Sequence, residues 1–223
     1  VDKITNQDID VSKNEVTSKN QGQAYTTTKK EFENYVWISD TQNTAGTVGN
    51  QDIEVIYYYS PVTTVLVKHL DKYDHSIEVA TSQTIDGYIG KEYTTNVSSS
   101  ILPNYVYSDS TSNTTGNMTR EQIVVEYYYI KESEVRAKYI DENTGKQIDN
   151  YPDIVGTYKE ATTYTTNKLQ IPGYTFTKID GSEKGVVGKD NIVVTYYYKK
   201  NSAGIEVKYI DQVNKNEIAT PTY

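Results

Sequence analysis

The sequence predicts a mainly β protein built as a tandem array of modules of about 70 residues each. One strand pattern recurs three times, as IEVIYYY ending at Tyr59, IVVEYYY ending at Tyr129 and IVVTYYY ending at Tyr198, at spacings of 70 and 69 residues. Tyrosine, with 23 residues of 223, and threonine favour strands, whereas the helix-favouring residues are scarce and Met118 is the single methionine. Apolar residues also alternate at period two: Val65 and Val67 with Leu66 and Lys68, and Val135, Ala137 and Tyr139 with Arg136 and Lys138.

Four landmarks recur in fixed order. VLVKHLD, VRAKYID and IEVKYID place Asp71, Asp141 and Asp211 at intervals of 70, and Val1-Asp2 falls 69 before Asp71. Next come AYTTT, EYTTN and TYTTN around Tyr25, Tyr93 and Tyr164, then ENYVW, PNYVY and PGYTF around Tyr35, Tyr105 and Tyr174, and last the Tyr triplets. The expected organisation is a partial repeat over 1–59 that lacks its leading strand, repeats over 60–129 and 130–198, and the start of a fourth over 199–223.

Within a repeat, the leading strand ends at the Asp. The segment Asp141-Glu-Asn-Thr-Gly145 is turn chemistry, with Asn and Gly tolerating positive φ, and predicts a hairpin into a second strand near Ile148. The Thr-Thr-Asn run after Tyr164 suits the cap of one short helical turn, and Ile171-Pro-Gly-Tyr174 a tight turn into another strand. Little helix is expected. The links Tyr59–Val65, Tyr129–Val135 and Tyr198–Ile205 are short and not rich in Gly or Ser, so the array is expected to be an elongated, semi-rigid rod. Modules of this size sit near the lower limit for an independent core, and neighbour contacts would add stability.

Composition narrows the function. Twenty-two basic against thirty acidic residues give a net charge of -8, which argues against nucleic acid and against an anionic membrane surface. No apolar run approaches the span of a bilayer, and no charged-then-apolar signal segment opens the chain. Cysteine is absent, so disulfides, thiolate nucleophiles and Cys-based metal sites are excluded. Neutral or carbohydrate partners fit this balance better.

The Tyr triplets are the most suggestive feature. Alternation puts Tyr127 and Tyr129 with Ile123 and Val125 on a core face and leaves Tyr58, Tyr128 and Tyr197 on the other, beside variable residues. These three are the candidate ligand-binding residues, since an exposed tyrosine stacks on a sugar's C–H face and hydrogen-bonds its substituents. Packing under a helix or at a module junction is the alternative, and the commoner fate of such rings.

Other constellations read more plainly. Asp141, Asn143 and Gly145 resemble the opening of a calcium loop, but the other copies lack the spacing and no Glu follows at the twelfth position, so a plain turn is expected. His69 and His75 occur in one copy only, with Tyr139 and Tyr209 in the place of His69, and read as surface histidines. Carboxylates form no recurring close pair, and no nucleophile elbow, phosphate loop or zinc signature appears. The expected role is non-catalytic, with no cofactor and no metal.

Together, Val135 to Lys146, Tyr164 to Asn167, Ile171 to Tyr174 and Val193 to Tyr198 resemble the MucBP, or mucin-binding protein, repeat. The copy at 130–198 matches best. The copy at 60–129 departs, with His69 for the strand Tyr and Lys72-Tyr-Asp-His in place of the Gly turn. The resemblance implies ubiquitin-like β-grasp modules strung along cell-wall-anchored, extracellular proteins of Gram-positive bacteria such as lactobacilli and listeriae. It implies adhesion to mucin-type glycans or host glycoproteins, with stalk duty for some repeats, and it carries no catalytic residues. A stalk that projects a distal binding domain, or an immunoglobulin- or other host-protein-binding module using open strand edges, are the alternatives. The incomplete end repeats also suggest head-to-tail self-association, a leading strand from one chain completing another.

Overall fold

A computed structural model describes residues 1–222 and divides into two compact units, Val1–Ile130 and the remainder from Lys131. The first unit holds β1 (Ala24–Thr26), β2 (Tyr35–Asp40), β3 (Ala45–Thr47), β4 (Tyr57–Asp71), β5 (Glu78–Tyr88), β6 (Glu92–Thr94), β7 (Tyr105–Ser110), β8 (Thr115–Asn117) and the start of β9 (Ile123–Asp141). The second holds the end of β9 and β10 (Ile154–Lys159), β11 (Thr163–Thr165), β12 (Tyr174–Asp180), β13 (Lys184–Val186), β14 (Ile192–Lys200), β15 (Val207–Ile210) and β16 (Glu217–Thr222). Among the described residues, helix is confined to a three-residue 3-10 turn at Val11–Lys13.

In the second repeat the sheet order is β5-β4-β9-β7, and the central pair is parallel, from Val65 opposite Ile123 to Asp71 opposite Tyr129. The third repeat repeats it as β10-β9-β14-β12, with Val135 opposite Ile192 and Asp141 opposite Tyr198. Leading and closing strands side by side and parallel, flanked by the middle strands, make the β-grasp arrangement. Where that fold ordinarily lays a helix across the sheet, each repeat lays a two-stranded ribbon: β1 with β3, β6 with β8, β11 with β13.

Each core is walled by the triplet's inner face. Val65, Val67, Val125, Tyr127 and Tyr129 pack with Val79, Tyr93, Tyr105 and Met118 in one repeat, and Val135, Ala137, Tyr139, Val194, Tyr196 and Tyr198 with Ile148, Tyr164, Ile171 and Val187 in the other. Burial of such side chains contributes about 1.5–3 kcal/mol each. The two strands of each ribbon meet in a Tyr-over-Gly pairing: Tyr25, Tyr93 and Tyr164 face Gly46, Gly116 and Gly185 across the ribbon. Each ring crosses its glycine to donate to the carbonyl of Asn43, Asn113 or Ser182 at 2.9–3.0 Å.

Several expectations change. No helical turn follows Tyr164: the Thr166 hydroxyl meets the Tyr196 hydroxyl at 2.8 Å and the Glu183 carbonyl at 3.3 Å, and the segment runs on irregularly. The second strand of the third repeat begins at Ile154 rather than near Ile148, although Ile148 N–H still bonds Tyr139 O. The Ile171–Tyr174 turn forms as expected, with Gly173 at φ +78°. The link Tyr59–Val65 is strand throughout. Pro61, which lacks an N–H, accepts from Ile89, while Val62 donates to Asn34 O.

In the first repeat only Val1–Lys3 occupy the leading-strand position, with Tyr59 donating to Val1 O and Lys3 to Tyr59 O. Ile53–Ile56 are irregular where Ile123–Glu126 are strand, and Tyr57 is half-buried where Tyr127 is buried.

Candidate functional site

The triplet's outer face carries the three predicted residues, and all three are half-buried. They do not share one environment. Tyr58 lies opposite Ser39 of β2. Tyr128 has the His75 ring stacked on it at 5.0 Å and 23°, and its hydroxyl donates to Glu126 Oε2 at 2.5 Å. That bond first, and burial second, push the Tyr128 hydroxyl up to about 12. Beside it, Lys72 pairs with Asp109 and donates to Ser108 Oγ at 3.0 Å. The pairing raises the Lys72 ammonium and lowers the Asp109 carboxyl. Tyr197 carries the Lys178 ammonium 4.9 Å from its ring centre, and Lys178 pairs with Glu142 at 2.9 Å. An aromatic ring rimmed by paired charges and hydroxyls offers one apolar surface and several directional polar ones, the combination that a polyhydroxylated ligand requires.

The Asp landmark is a structural post. Asp71 Oδ1 accepts the N–H groups of Tyr73 and Asp74 at 2.8 and 2.9 Å, while Oδ2 accepts the Tyr105 hydroxyl at 2.9 Å. Asp141 repeats this with Asn143, Thr144 and Tyr174, and Asp2 with Ile4, Thr5 and Tyr35. Both oxygens of the calcium-like Asp141 thus hold the turn and tie it to β12. The two landmarks were visible separately in sequence; their contact, some 33 residues apart, was not.

His69 corrects the surface reading. It is 1% exposed, stacked on Tyr127 at 5.3 Å and 16°, with Nδ1 3.0 Å from the Tyr129 hydroxyl. Period two dictates this, because His69 shares the inward face with Val65 and Val67. His75 is exposed, on the outer side with Tyr128.

A second aromatic row went unread in the sequence. Trp37, Tyr107 and Phe176 stand two residues after the Tyr35, Tyr105 and Tyr174 landmarks, on β2, β7 and β12, with Trp37 38% and Tyr107 47% exposed. Lys29 covers Trp37 at 4.7 Å and Lys168 covers Phe176 at 4.8 Å. The third letter of YVW, YVY and YTF was the available signal.

The MucBP domain matches residues 1–60, 64–130 and 134–199. Internalin J of Listeria monocytogenes serotype 4b is 30% identical over 214 residues, covering 91% of this chain and 22% of that protein. Internalin J of serovar 1/2a is 30% identical over 216 residues, covering 90% of this chain and 24% of that protein. The chain thus spans about a quarter of the curated relatives it matches. The crystal structure of Mub-RV is 15% identical, with a TM-score of 0.24, over 62% of this chain and 99% of that one. With three successive matches that together take in most of its length, the chain belongs to the MucBP domain family.

Proposed function

We propose that this chain is the repeat region of an adhesin on the surface of a Gram-positive bacterium, anchored to the cell wall, and that it engages mucin-type glycans or host glycoproteins without catalysis. The observation that carries this reading is the recurrence of one outward, half-buried tyrosine at the same register in the first three repeats, Tyr58, Tyr128 and Tyr197. Each repeat binds weakly, and several on one chain raise the effective concentration. Repeats over 1–59, 60–129 and 130–198, with the start of a fourth after them, are the units of this reading, and head-to-tail pairing of chains is a further part of it. Mucin-plate binding of a multivalent display of the chain tests it. Tyr128→Ala with Tyr197→Ala is expected to weaken retention at least tenfold without loss of fold, and no retention at high valency refutes the reading.

The spacer reading has its own support in β4, which passes from the first repeat into the second with no flexible linker. It expects adhesion of the parent protein to survive exchange of these repeats for an unrelated spacer of equal length.

A further inference from the structure

The histidine in the core of the second repeat occupies a place where the third repeat has tyrosine. Tyr139 stacks on Tyr196 at 5.6 Å and 13° and donates its hydroxyl to Asn167 O at 3.0 Å. His69 stacks on Tyr127 in the same way, but its ring nitrogen meets the Tyr129 hydroxyl. The closing tyrosine changes partners to match. Tyr59 and Tyr198 each accept an N–H and donate to a carbonyl of the same residue, Lys30 and Leu169. Tyr129 accepts Ser98 N–H at 3.2 Å and turns its other side to His69. One neutral, fully satisfied contact in the third repeat is thus replaced in the second by a contact that includes a titratable ring.

We infer that the second repeat carries an acid-sensitive release in its core, in which protonation of His69 opens the β4–β9 pairing of that repeat while the third repeat stays closed. The ring is 1% exposed, and among the described residues its one hydrogen-bond partner is the Tyr129 hydroxyl. A doubly protonated ring carries two N–H donors and a full charge into a site that is 1% exposed, and the Tyr129 hydroxyl is the one hydrogen-bond partner seen there among the described residues. The groups facing it are Glu78 from β5, Tyr127 and Tyr129 from β9, and Tyr107 of β7, which touches both those tyrosines. On its own strand Asp71 is committed to its turn and Tyr105, and Lys68 lies on the opposite face. Of these groups Glu78 acts on the ring's charge and favours the protonated form. Burial outweighs it, and the imidazole is held below its ordinary value.

The sign follows. A histidine depressed in the folded state stabilises that state above its unfolded value of about 6.5, and the contribution disappears as pH falls through the folded value. Between the two values the opening constant grows up to about tenfold for each pH unit of acidification. Release of His69 also frees Tyr129, hence the Ser98 loop.

Residue-resolved amide exchange on the whole chain, at about pH 7.5 and about pH 5 and corrected for intrinsic exchange chemistry, tests this. Val65–Asp71 and Val125–Tyr129 are expected to lose protection on acidification by about tenfold or more, relative to Val135–Asp141 and Val194–Tyr198. His69→Tyr, which installs the third repeat's residue, abolishes the difference, and His75→Asn preserves it. Persistence of the difference in His69→Tyr, or its loss in His75→Asn alone, overturns the inference. Should His69→Tyr fold poorly, titration of the His69 ring in the unaltered chain decides: a midpoint well below about 6.5 upholds the inference, and one at or above it overturns it.

Discussion

Replacing Tyr105 by Phe removes one oxygen from the core of the second repeat, and the three repeats grade what that oxygen is worth. Tyr105 is 8% exposed and donates at 2.9 Å to Asp71, itself 0% exposed. A hydrogen bond to a charged group contributes about 1.5–3 kcal/mol, and burial places this one toward the upper end. Tyr35 and Tyr174 make the same contact to Asp2 and Asp141 at 3.3 and 3.4 Å from half-buried positions, where about 0.5–1 kcal/mol is expected. Native-state amide exchange reads each repeat separately, which a single melting curve of a multi-repeat chain does not. Tyr105→Phe is expected to accelerate exchange across Val65–Asp71 by about tenfold or more, and Tyr35→Phe and Tyr174→Phe to accelerate their own repeats by about two- to fivefold. Equal effects in all three, or the largest effect from Tyr174→Phe, would refute the grading by distance and burial.

Gly185→Ala places a Cβ 2.8 Å from the Tyr164 ring, closer than real contacts, and is expected to cost about 1–3 kcal/mol, read by amide exchange across Val194–Tyr198 of the third repeat. The same change at Gly46, where the nearest ring atom is 3.1 Å away, is expected to cost less. Glu126→Gln removes the carboxylate that holds Tyr128 at about 12, so spectrophotometric titration should show one tyrosine moving down toward its ordinary value of about 10. Trp37 is the chain's single tryptophan, so its fluorescence reports the first repeat alone. Lys29→Ala is expected to raise its accessibility to a neutral quencher while leaving the far-ultraviolet dichroism unchanged.

The sheet was legible because period two is a local property: each strand's inward set follows from its own residues. Alternation assigned Val125, Tyr127 and Tyr129 to the core and Tyr128 to the outer face from adjacent letters alone. The same rule, applied to His69, would have placed it in the core. Its occurrence in one copy alone pointed instead to the surface, where histidine is ordinarily found. The Thr-Thr-Asn run shows the opposite failure. Its capping chemistry is genuine in isolation, yet Thr166 finds a better-placed partner in Tyr196, 30 residues away.

What the sequence by itself determined is the module: its period, its strands, its turn at Gly173 and its family, all encoded in short segments whose spacing repeats. What only the tertiary structure decided is which of the repeated residues meet. The Asp–Tyr tie, the Tyr-over-Gly ribbon and the pairing of His69 with Tyr129 join segments about 20 to 60 residues apart, and long-range contacts leave no local periodicity to read. The outer tyrosines illustrate both halves. Alternation named Tyr58, Tyr128 and Tyr197 as equivalents, and packing made them unequal, because the residues that cover them, His75 over one and Lys178 over another, come from turns and edge strands that differ between repeats.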